Sequence, residues 1–233
     1  MKKLLFFGIA YLGISLLACE DGTDEKIFDR DLTHYRNIGE KISNETGVRW
    51  IQAYRSREQQ AGRETPLNNY SVSASKIQDL LNSVDGLTGV AFHHALDGDG
   101  QHHFVIVPID ESLSLWSSDR DKLYIDANTD TFISKQTAQD WTTNYELANP
   151  GEIWFHFFGS GVFEEILAIS YFETLLIEPA LNDLNLSPQL LLIILNDGGL
   201  VDGLLEGGRT NEGDESGGTV YDASSPCPPC VIH

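Results

Sequence analysis

The chain has 233 residues, with 15 basic against 35 acidic side chains and a formal net charge of −20. A surface that acidic repels phosphate backbones and anionic headgroups, which excludes nucleic acid as a partner. The length allows one large domain or two small ones, and 41% hydrophobic and 10% aromatic residues suffice for a packed core.

The N-terminus reads as an address. Met1-Lys2-Lys3 is cationic, and residues 4–18, LLFFGIAYLGISLLA, are uncharged and apolar. That run is shorter than the ~20 residues a spanning helix needs, and it fits the apolar region of a secretory signal peptide. It stops at Leu16-Leu17-Ala18-Cys19. The boundary resembles the lipobox of bacterial lipoproteins: an aliphatic residue three before the cut, a small one just before it, then an obligatory cysteine. The resemblance implies a signal peptide over residues 1–18 and acyl chains, palmitate among them, on Cys19. Several chains anchor a protein stably where one binds only marginally. A transmembrane helix, or an ordinary signal with a chance cysteine, is the competing reading. Removing residues 1–18 leaves 13 basic against 35 acidic residues. The stretch EDGTDEK behind Cys19 resembles the surface-export signal of Bacteroidetes lipoproteins, or else is a plain disordered tether. The expected location is therefore the outer membrane, lipid-anchored and facing the cell surface, with the membrane as partner through Cys19.

Residues 19–41 read as a tether and then a short amphipathic helix over 28–41, with Phe28, Leu32, Tyr35 and Ile38 at helical steps. The stretch Ile42 to Tyr54, ISNETGVRWIQAY, then recurs as Ile133 to Tyr145, ISKQTAQDWTTNY, with five identities at a constant offset of 91. Ser43 and Ser134 are expected helix N-caps. Trp50 and Tyr54, four residues apart, share a helix face; they are expected as a core contact rather than a binding platform. Residues 58–72 read as a loop. A second helix is expected at about 74–82, with Ile77, Leu80 and Leu81 apolar, matched by Gly161 to Ile169 with Phe163, Ile166 and Leu167. Strands follow at 88–96 and 102–109 around the turn Asp97-Gly98-Asp99-Gly100, with Pro108 directing the second toward a sheet edge. Their counterparts are 173–181 and 189–195, the latter apolar throughout and so central or buried on both faces.

The expected class is α+β: two tandem α-α-β-β repeats, 42–110 and 133–201, joined by a linker at 111–132. They would form one pseudo-twofold domain with a four-stranded, mostly antiparallel sheet and helices mostly on one face. Residues 202–233 read as an acidic, Gly-rich disordered tail, with too little apolar surface to offset ordering, ending Cys227-Pro-Pro-Cys230. The Ser-capped Trp-x-x-x-Tyr helices, His156-Phe-Phe-Gly159, the helix Phe163 to Leu167, the hairpin Asp97 to Gly100 and the final Cys-Pro-Pro together resemble uncharacterised lipoprotein-like proteins of Bacteroidetes. That resemblance implies no activity.

Candidate chemistry is sparse. His93-His94 and His102-His103 flank the hairpin turn and could offer imidazoles to Zn²⁺, Cu²⁺ or Ni²⁺. Neighbours in a strand point to opposite faces, so at most two of the four converge, fewer than a site requires; the competing and preferred reading is a polar, solvent-facing hairpin tip. The Asp97 to Gly100 turn is no calcium loop, because its twelfth position is Pro108. Cys227 and Cys230 have redox or half-zinc spacing, but with no second CxxC and no βαβ context they are expected to form a local disulfide outside the cytoplasm, a redox or metal role being the alternative. No catalytic residue, cofactor or metal site is assigned. The function expected is a non-enzymatic binding or accessory module on the surface with a protein or glycan partner, the alternative being a surface hydrolase with a carboxylate-lined cleft.

Overall fold

The structure is a computed structural model, and it describes residues 32–62, 70–117, 121–195, 219–222 and 225–227. In chain order the elements are α1 (Thr33–Arg36), β1 (Glu40–Ile42), α2 (Asn44–Gln60), β2 (Tyr70–Ser73), α3 (Ala74–Leu81), β3 (Gly89–Leu96), β4 (His102–Ile109), β5 (Tyr124–Asp126), β6 (Thr131–Ile133), α4 (Lys135–Ala148), β7 (Phe155–Gly159), α5 (Ser160–Leu167), β8 (Thr174–Leu181), β9 (Pro188–Leu195), β10 (Thr219–Asp222) and β11 (Ser225–Cys227). Helices and strands coexist, so the class is α+β.

The single four-stranded sheet expected from the sequence is replaced by two antiparallel sheets. Sheet 1 has five strands in the order β1-β10-β9-β8-β2, and sheet 2 has six in the order β11-β7-β3-β4-β5-β6. The extra strands come from segments without a readable period. Tyr70–Ser73 lies in the expected loop, Tyr124–Asp126 and Thr131 fall in the expected linker, and Thr219–Asp222 and Ser225–Cys227 lie in the expected disordered tail. Glu40–Ile42 is a strand on β10, and the helix expected over 28–41 reduces to Thr33–Arg36 among the described residues. Both sheets mix early and late chain: β2 pairs with β8, and β7 pairs with β3.

Strand alternation sorts the side chains into three cores. Between the sheets lie Val90, Phe92, Phe104 and Ile106 of sheet 2 against Val72, Ile177, Leu190, Leu192 and Ile194 of sheet 1, joined by Ile77, Leu80, Phe163 and Ile166 from α3 and α5. The outer face of sheet 1, Leu176, Ala180, Leu191, Ile193 and Val220, packs beneath Trp50 and Ile51 of α2. The outer face of sheet 2, with Ala91, Ala95, Val105, Val107 and Phe157, packs beneath Ala138 and Trp141 of α4. The helices α2 and α4 thus cover opposite outer faces, not one. Each fully buried large apolar side chain contributes ~1.5–3 kcal/mol relative to exposure. The apolar run of β9 follows from its place between β8 and β10, buried on both faces.

Both long helices are capped as their sequence requires. Ser43 accepts from the Thr46 amide at 3.1 Å, and Ser134 accepts from the Thr137 amide at 3.0 Å, satisfying one free donor of each first turn. Trp50 and Tyr54 are buried, whereas Trp141 and Tyr145 are only partly so. In α5 the apolar face is Val162, Phe163 and Ile166, while Leu167 is largely exposed. Strand β4 is interior rather than at an edge. Its neighbour β5 pairs only with Val105 and Ile106, so the missing amide of Pro108 leaves no ladder bond unmade on that side.

A candidate site in a row of buried rings

The hairpin β3–β4 brings its histidines to both faces of sheet 2, and they are not a solvent-facing tip. His93, His94 and His103 are buried, and His102 is partly buried. The reason is register. His94 lies opposite Phe104 and His103 opposite Ala95, so His94 and His102 share the inner face with Phe104. His93 and His103 take the other face.

On the inner face the rings form a diagonal row. The phenol of Tyr70, on β2 of the other sheet, lies 2.7 Å from His102 Nδ1, and His102 Nε2 lies 2.9 Å from His94 Nδ1. With the phenol as donor, each ring donates to the next. The His94 ring stacks on Tyr145 of α4 with centroids 5.0 Å apart and touches His156 of β7 at 5.8 Å. His156 Nδ1 is buried without a hydrogen-bond partner among the described residues.

No carboxylate joins the row by a contact the structure shows, so burial decides its protonation. Burial pushes the His102 imidazole down to about 4 and His156 down to about 3. Burial, reinforced by His102, His156 and His93, holds His94 well below the usual range. Burial also raises both phenols, Tyr145 to about 12, and Tyr70 with a further push from Asp126. At neutral pH the row is therefore uncharged.

The row suits hydrogen bonding and stacking better than metal binding. His156 lies opposite Phe92, and His102 opposite Leu96. They flank His94 from strands on either side, four residues apart along β3, or ~13 Å. Both ring nitrogens of His102 are already engaged, Nδ1 with the Tyr70 phenol and Nε2 with His94. Among the described residues no group of three or more metal-ligating side chains is placed to hold one.

On the outer face His103 is held between two carboxylates, Nδ1 at 2.9 Å from Asp126 and Nε2 at 3.4 Å from Asp97, under Trp141 at 4.5 Å. A buried Asp–His pair can orient an imidazole as a base, but here the second nitrogen faces Asp97 rather than a hydroxyl or thiol. The group pins the hairpin to β5 and α4. Asp97 also accepts from the Gln101 and Asp99 amides, which hold its carboxyl below the usual range. Beside it the Glu146 carboxylate stands 3.3 Å from His93 Nε2, close enough for an ion pair but off the line of a hydrogen bond.

Sequence reasoning found the four hairpin histidines but not their partners. Tyr70 sat in a polar stretch read as loop, although Tyr70 and Val72 alternate with Ser71 and Ser73. Asp126 sat in the expected linker. Cys19 and Cys230 lie outside the described residues, and of Cys227 only its backbone place in β11, opposite Phe155, is described. Comparison with family models, characterised proteins and solved structures gives no match.

Proposed function

We propose that the protein is a lipid-anchored binding or accessory module of the outer membrane, held through acylated Cys19, facing the cell surface and acting without catalysis on a protein or glycan. The observation that carries this reading is the boundary Leu16-Leu17-Ala18-Cys19, where an uncharged run of signal-peptide length stops at a cysteine and an acidic segment begins. The interior chemistry fits a binder: the imidazoles of His94, His102 and His156 are neutral and lie among aromatic rings, and Asp97 and Asp126 both face His103. The relation to Bacteroidetes lipoproteins stands within this proposal, on the cysteine boundary and the acidic residues behind it.

We further propose that the domain is a fused duplicate whose halves exchange strands. Support comes from order and spacing. β1 and α2 precede β6 and α4 by 91 residues; β2, α3 and β4 run 86 ahead of the ends of β7, α5 and β9; β3 and β8 differ by 85. With β5 matched to β10, the strand order of sheet 1 becomes that of sheet 2 without β11.

The test is incorporation of labelled palmitate into the native chain and into Cys19→Ala, with protease accessibility on whole cells. Label on the native chain alone, with digestion from outside, is the expected result. A native chain that takes no label and partitions to the aqueous phase would refute the anchor.

A further inference from the structure

The turn joining β8 to β9, residues 182–187, displays two leucines that the described residues leave uncovered. Leu184 is 89% exposed and Leu186 67%. The backbone that carries them is fixed from within. Asn182 O accepts from the Leu186 amide at 2.8 Å, and its side-chain oxygen accepts from the Leu184 amide at 2.9 Å. Asp183 accepts from the Trp50 indole at 2.8 Å and from Arg49 at 3.0 Å, tying the turn to α2.

Leu186 itself sits at φ +59°, a left-handed conformation in which a side chain is strained. The β3–β4 turn places a glycine, Gly100 at φ +79°, 86 residues earlier, where no such strain arises. Leu113 also has positive φ, but its side chain is buried in the core and held there by packing. Leu186 gains no comparable burial among the described residues. A strained residue that its own fold does not reward points to a role outside it.

We infer that Leu184 and Leu186 are a second membrane contact, dipping into the acyl boundary of the bilayer in which Cys19 is anchored; this rests on the lipid-anchor reading. Three features select a bilayer. The leucines project from a tip rather than line a groove, as an apolar pair entering lipid must. The tip is sparsely charged in a chain of net charge −20: its one charge, Asp183, is paired at 3.0 Å with Arg49, which also meets Glu45 of α2 at 3.6 Å. The thirteen residues from Cys19 to Asp31 reach at most about 45 Å. An eight-residue strand such as β8 is only ~27 Å long, shorter than that reach. The fixed turn lowers the ordering cost of insertion.

The experiment reconstitutes the Cys19-acylated chain in phosphatidylcholine vesicles with brominated acyl chains, using Leu184→Trp and Leu186→Trp. Loss of most of the added indole emission, with the parent's own tryptophan emission unchanged, is expected. Adding Leu184→Asp to the Leu186→Trp chain should restore the emission. In detergent, Leu186→Gly should raise the thermal midpoint by about 2 °C for a chain of this size, while weakening the quenching of Leu184→Trp. Unquenched indole on vesicles whose protein is acylated by mass overturns the inference, as does a concentration-dependent dimer that shields the tip instead. If Cys19 proves unacylated, its thiol is coupled to maleimide lipid in a Cys227→Ser, Cys230→Ser chain. Quenching there supports the tip although the native anchor has failed, and its absence overturns the tip as well.

Discussion

The layer formed by α2 on sheet 1 and the layer formed by α4 on sheet 2 share a frame and differ in their chemistry. Beneath α2, Trp50 is buried and hydrogen-bonded to Asp183, and Arg55 donates to the buried Glu178 at 2.7 Å. Beneath α4, Trp141 is half-buried on His103, and Glu146 faces the buried His93. In the first layer the helix supplies the cation and the strand the carboxylate; in the second the helix supplies the carboxylate and the strand an imidazole. Burial raises the Glu178 carboxyl although Arg55 opposes the shift, whereas the imidazoles of His102 and His156, on the inner face of sheet 2, are pushed down. One frame thus carries two opposite responses to acid.

Acid gives the largest expected contrast. A histidine whose folded value lies below its unfolded ~6.5 binds protons more readily unfolded, so stability falls as pH drops from ~6.5 toward the folded value. With His102 at about 4 and His156 at about 3, each costs ~3 kcal/mol by pH 4. Glu178 has the reverse sign: its folded value is raised, so protonation as pH falls relieves a buried charge. Hydrogen exchange between pH 7 and 4 should show β3, β4 and β7 losing protection before β8 and β9. Simultaneous loss across both sheets would erase the contrast.

Truncation comes next. Trp50→Ala should cost ~3–5 kcal/mol, as for other buried aromatics, and Trp141→Ala about half that in urea unfolding at pH 7. Equal losses would mean the two indoles are packed alike. The smallest effect tests the inverted pairs. Arg55→Glu places two carboxylates beneath α2 and should cost ~1–2 kcal/mol, with partial exposure of position 55 limiting the penalty. Adding Glu178→His recreates the Glu146–His93 arrangement and should recover about half. A strictly additive double-mutant cycle would show that the polarity of the pair is irrelevant.

What could be read from the sequence depended on length and period. The seventeen residues of α2 and the eight-residue strands each repeat their pattern often enough to be seen. Strands of three or four residues, β1, β2, β5 and β10, complete no period, and the partners of β1 and β2 lie far away in sequence. Tyr221 shows the limit: it is buried in the inter-sheet core, yet it belongs to TVYD, four residues in an acidic, glycine-rich stretch. Alternation tells which face of β3 is apolar, but not whether that face meets helix or sheet, so one sheet was expected where two pack together. The burial of His94 was hidden for the same reason: its surroundings are Phe104, Tyr145 and His156, each from a different element.

Strand β10 closes sheet 1 by standing between β9 and β1, which gives the chain an order of assembly. The first of the described strands to be synthesised, β1, waits for a partner some 180 residues behind it, and long-range pairing of this kind is slow. Until Thr219–Asp222 emerges, Glu40–Ile42 lacks the neighbour it has in the finished sheet. A sheet completed only when β10 arrives keeps the edge at β9 open until the last part of the chain's synthesis.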